Sequence, residues 1–116
     1  MFYAYLSEHG QHKDSIMKAK VKTSPATKRE LRFLGARIRE ARLRRALPQT
    51  LVAERASVSV DTLRRIESGD PAASIGSYAM VLHALGILEG WGNIPDSLGE
   101  ELAAEQLRKR APKDRS

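Results

Sequence analysis

The chain contains no cysteine. It therefore forms no disulfide and offers no thiolate to a metal or redox centre, which suits a reducing cytoplasm, where we place it. Aromatic residues are scarce. Of the six in 116 residues, Phe2, Tyr3 and Tyr5 crowd the first five positions, so any core must be built mainly from Leu, Ile, Val and Ala. No apolar run approaches the roughly 20 residues that a membrane-crossing helix needs, and no membrane role is expected. The opening "MFYAYLSEHGQHK" lacks the basic flank and apolar stretch of a secretory signal, and Met17 is an alternative start to Met1. From Ile66 to Leu107 there is no Lys or Arg at all, against seven acids.

The missing cations are concentrated elsewhere. Lys13 to Arg65 holds fifteen Lys/Arg against five Asp/Glu, within a total charge of +6. A chain so polarised offers one region to a polyanion and keeps the other for something else. Nothing in it combines a nucleophile, a base and a pocket, so an enzyme is not expected, nor is a cofactor. His9 and His12 lack companions for a metal site, and His83 reads as a histidine at the edge of the core. Glu100, Glu101 and Glu105 read as a solvated helix face, while Trp91 is either core or a partner anchor.

Residues 1–27 are polar and show no period, which predicts a disordered or extended arm. From Lys28 the pattern is helical, with Leu31, Leu34, Ile38 and Ala41 on one face, and Pro48 closes this helix and opens the next. Beyond Gly69, Ser74 is placed to cap a helix whose apolar stripe is Ile75, Tyr78, Val81, Leu82 and Leu85, with Gly86 at its end. A short helix is predicted around Ile87 to Trp91. Residues 93–116 form a C-terminal amphipathic helix, with Leu98, Leu102 and Leu107 inward, and a basic tail.

The stretch "LVAERASVSVDTLRRIESG", Leu51 to Gly69, fits no single element. Val52, Ala56, Val58, Leu63 and Ile66 are four, two, five and three positions apart. One bend resolves the spacing: a helix from Gln49 carries Val52 and Ala56, Val58 sits in the turn, and a second helix from near Ser59 carries Leu63 and Ile66. The five converge on one core, with Ala53 small where the helices approach and Ser59 able to cap the second. This is the pattern of a helix-turn-helix, whose second helix offers its outer face to the DNA major groove.

"LGARIREARLRRALPQTLVAERASVSVDTLRRIESGDPAASIGSYAMVLHALGIL", Leu34 to Leu88, resembles the lambda-repressor/Cro (Xre) family. The flanks "TSPATKRELRFLG" and "GDPAASIGSYAMVLHALG" are similar to HipB-like antitoxins, which pair with a HipA-like kinase toxin. The resemblance implies an all-α, five-helix lambda-repressor-like domain at residues 28–92, working as a homodimer on a palindromic operator in double-stranded DNA. It also implies a salt bridge between Arg42 and Glu67, and a DNA-backbone contact at Gln49. Where the family usually has glycine at the bend, this chain has Ser57.

Candidate DNA contacts are Ser59, Val60, Asp61, Thr62, Arg64 and Arg65 on the second helix, with Gln49, Thr50, Arg44 and Arg45 as phosphate contacts. Arg64 or Arg65 can grip guanine O6 and N7 with two hydrogen bonds, the other holding a phosphate. Val60 could pack on a thymine methyl; Asp61 could accept from cytosine N4 or cap its own helix. The function expected is transcriptional repression, as an antitoxin that autoregulates its operon or as a stand-alone regulator. A pure protein-interaction module is the competing class, and the arginine stack from Arg37 to Arg65 argues against it.

Overall fold

Ser24 sets where regular structure begins. Its hydroxyl accepts from the Thr27 amide at 3.0 Å, and Pro25 takes the first turn, where a missing N–H costs nothing. In the computed structural model, which describes residues 21–111, helix α1 therefore runs Pro25–Arg44. "TSPAT" is its cap and first turn, so the boundary expected at 27/28 lies at 24/25. The earlier part of the arm, Met17, His9, His12 and the end of the basic tail lie outside the described residues.

Four more helices follow: α2 Gln49–Ala56, α3 Val60–Glu67, α4 Ile75–Ala84 and α5 Ser97–Arg110. No strand occurs among the described residues, and the chain is all-α with five helices, four of them before residue 92 and α5 after it. Pro48 does not end α1. The helix stops at Arg44 because Ala46 turns left-handed (φ 53°), and the amides of Ala46 and Leu47 reach back to the carbonyls of Leu43 and Arg42. Pro48 instead stands just before α2, its carbonyl accepting from Leu51 and Val52.

The same paired closure recurs at Ser57 after α2, Gly69 after α3 and Gly86 after α4, each with positive φ. Sharp reversals of this kind let short helices fold onto one another. Consequently α1 packs on α3, α2 on α3, and α4 across α2. Ile38, Val52, Leu63, Ile66 and Val81 are fully buried, closed around by Ala41, Ala53, Ala56, Tyr78, Leu82 and Leu85.

Four further expectations differ from what is found. Ile75 shares the face of Leu82 yet is 75% exposed. It opens α4, and helical side chains lean toward the N-terminus, so it projects beyond the packed turns. His83 is exposed and not at the core edge. Ile87 to Trp91 forms turns and no helix, because Gly86 and Gly90 both take positive φ. Leu98, Leu102 and Leu107 do not point into the core, and α5 buries no residue. Leu107 also lies about 140° around the helix from Leu102, so the three form no single stripe.

Candidate nucleic-acid interface

The bend between α2 and α3 occupies Ser57 to Ser59. Ser57 adopts φ 60°, ψ 38°, and its amide and that of Val58 bond the carbonyls of Glu54 and Ala53 at 3.1 and 3.0 Å. The serine thus takes a left-handed conformation at the bend, where the family resembled usually has glycine. Ser59 then caps α3, accepting from the Thr62 amide at 3.0 Å. Val52, Ala53, Ala56, Leu63 and Ile66 are buried between the two helices, with Val58 half-buried against them.

The opposite face of α3 carries Asp61, Arg64 and Arg65, all exposed. Asp61 and Arg65 are joined by an ion pair of 2.9 Å one turn apart. Arg64 pairs with no acid among the described residues. Ser59 and Thr62 are occupied with each other, hydroxyl to hydroxyl at 3.0 Å. Val60 is half-buried and packs on the core cluster, so part of its apolar surface is spent inward. Arg64 is thus the guanidinium on this face with the fewest local commitments.

Beneath α3 lies a buried ionic network. Arg42 Nε and Nη2 donate to the two carboxylate oxygens of Glu67 at 2.6 and 3.1 Å, with side-chain exposures of 9% and 5%. Such two-pronged pairing uses the planar fork of arginine and fixes orientation as well as distance. The remaining Arg42 donor reaches the Leu47 carbonyl at 3.1 Å, and the Gln49 amide donates to Glu67 at 3.2 Å. The first residue of α2 and the last of α3 are therefore tied through one carboxylate to α1. Gln49 is half-buried and committed to this network, while Thr50 beside it is exposed.

Two glycines complete the support, and the spacing of apolar residues gave no notice of them. A methyl group on Gly35 would stand 2.6 Å from the Ile66 carbonyl oxygen, 2.7 Å from that of Glu67 and 2.7 Å from the Gly69 nitrogen. A methyl group on Gly69, which has φ 80°, would likewise stand 2.5 to 2.8 Å from backbone atoms of Leu31 and Arg32. The available signal was a glycine inside a helix, which costs about 1 kcal/mol against alanine and so asks for a packing reason. The loop that follows is held by the Tyr78 hydroxyl, which donates to the Asp70 carbonyl at 2.8 Å. Burial, and secondarily the nearby Asp70 charge, pushes the Tyr78 phenol up to about 12.

Arg44 and Arg45 stand elsewhere. With Arg37 they border a groove between α1 and the segment after α4. Arg44 projects about 160° around α1 from Arg42, away from α3. Among the described residues no helix is long and apolar enough to cross a membrane, and no His/Asp/Glu group could hold a metal ion.

Residues 34–89 match a family model described as a helix-turn-helix domain. Neither the curated proteins nor the solved structures provide a match to the chain.

Proposed function

We propose that this helix-turn-helix chain is a sequence-specific transcriptional repressor that binds palindromic DNA as a homodimer. The reading is supported above all by the exposed Arg64 and Arg65 on a capped α3 whose inner residues, Leu63 and Ile66, are fully buried. In this reading Arg64 enters the major groove and reads guanine, and Arg65, shared with Asp61, contacts a phosphate or a neighbouring base. Ser59 and Thr62 serve first as the cap of α3, and Val60 presents its outer half to the groove. Thr50, with the α2 amides, faces the DNA backbone, positioned by the Gln49–Glu67–Arg42 network. Two copies place their α3 helices about 34–36 Å apart, one turn of duplex.

Gel-shift titration on the DNA upstream of the chain's own gene tests this. Affinity should fall steeply with salt, and Arg64→Ala should lose about 1–3 kcal/mol of preference at one base position. Salt-insensitive binding, or none, overturns it. The antitoxin role adds a HipA-like kinase toxin to this activity and rests on the resemblance of the segments flanking the motif. Co-purification with the product of the adjacent gene separates it from a stand-alone regulator.

A further inference from the structure

Helix α1 has a second face, turned away from α3, that borders a groove. Arg37 and Arg44 project about 150° around the helix from Arg42, on the side away from α3. There a groove of about 490 Å³ opens between α1 and the end of α4. Leu34, Leu82, Ile87 and Trp91 line it, and Arg37, Arg44 and Arg45 surround it. Glu40 approaches Arg44 to 3.8 Å, with both side chains mostly exposed, which leaves the border strongly cationic. The groove therefore suits an occupant that is apolar along one line and acidic on its flanks.

The chain carries such an element. On α5, Leu98, Glu101, Leu102 and Glu105 fall within an arc of about 100° over two turns. Leu98 is 67% and Leu102 57% exposed. Glu105 is paired along its own helix with Arg108, whereas Glu101 has no cation beside it among the described residues. Arg37 and Arg44 stand about 10 Å apart along α1 and Glu101 and Glu105 about 6 Å apart along α5, a difference that the long arginine side chains take up. Within one chain α5 buries nothing and leaves the groove open.

We infer that the groove receives α5 of a second copy of this chain, each copy seating its α5 in the other's groove. The inference rests on the homodimer reading above and supplies its interface. Reciprocal docking closes a two-fold assembly, doubles the apolar area removed from water, and places Glu101 and Glu105 against Arg37 and Arg44 twice. It also assigns Arg44 and Arg45 to subunit contact in place of phosphate.

Sedimentation velocity on the full chain without DNA tests it, together with emission from Trp91, the only tryptophan. The wild-type chain should dimerise as concentration rises, with Trp91 emission moving to the blue in step. Arg37→Glu/Arg44→Glu and Glu101→Arg/Glu105→Arg should each weaken the dimer at least ten-fold, and an equimolar mixture of the two should restore it. Leu102→Asp, at an exposed position that cannot disturb the core, should abolish the dimer without changing helix content.

A dimer that survives the groove charge reversal, a mixture that stays monomeric, or a chain monomeric at every concentration overturns the inference. Because DNA is absent, these outcomes are independent of the gel shift. A dimer that binds no operator would sink the repressor reading and leave this interface standing.

Discussion

Gly35 and Gly69 meet backbone to backbone, with the Gly69 nitrogen only 2.7 Å from where a methyl group on Gly35 would lie. The contact lets α1 lie directly on the end of α3, so the helix proposed to read DNA is supported there by main chain, in addition to the Arg42–Glu67 side-chain network. Gly35→Ala improves helix propensity by up to about 1 kcal/mol, yet drives a carbon into two carbonyl oxygens. We expect a net loss of about 1–3 kcal/mol, read as a lower midpoint in urea. An unchanged or raised midpoint would show that α1 can lift away without cost.

Arg42 and Glu67 are more than nine-tenths buried as side chains, so removing one leaves the other charged and unpaired. Arg42→Ala or Glu67→Ala should each cost about 3–5 kcal/mol. The double substitution should cost clearly less than the sum of the two, and equality with that sum would refute the pairing as the source of the loss.

Ser57 and Ala46 hold left-handed positions with side chains that disfavour them. Ser57→Gly and Ala46→Gly should each stabilise the fold by about 1 kcal/mol, net of glycine's greater freedom in the unfolded chain. Thermal denaturation would reveal it as a rise in melting temperature; a fall at Ser57 would mean its side chain does more than occupy the turn.

Asp61 pairs with Arg65 and adds a negative charge to the face proposed to meet DNA. Asp61→Asn should therefore tighten binding to operator and non-operator DNA alike, by several-fold, and most at low salt. Loss of operator affinity, confined to one base pair, would instead make Asp61 a direct reader of cytosine.

The Tyr78 phenol, pushed up to about 12 from 10.0 by burial and by Asp70, ties stability to alkaline pH. The neutral phenol is the form the fold favours, so its contribution is complete below pH 10 and disappears as pH rises through about 12. Tyr78→Phe should lose about 1 kcal/mol at neutral pH with the bond to the Asp70 carbonyl, and should flatten the decline between pH 10 and 12. A decline of unchanged size in the variant would assign it to other groups.

What neighbouring residues arrange among themselves was legible from their order along the chain. Ser59 and Ser74 cap their helices as expected, Val52 through Ile66 bend once around a shared core, and Arg64 and Arg65 point outward. Each of these depends on residues within one helix or across a single tight turn, where spacing fixes which side chains share a face. The start of α1 lies three residues earlier than periodicity indicates, because a Ser-Pro pair reads as a loop until its serine is seen to cap.

Other properties required segments far apart in sequence to be brought together. Only the fold shows that Gln49 is bound to Glu67, that Gly35 abuts the end of α3, and that Arg44 stands with Trp91 and not with Arg64. Only the fold shows that α5 leaves its leucines in solvent. Periodicity tells which residues of a helix share a side, whereas what that side faces depends on helix crossing and close backbone approach, which no local pattern encodes.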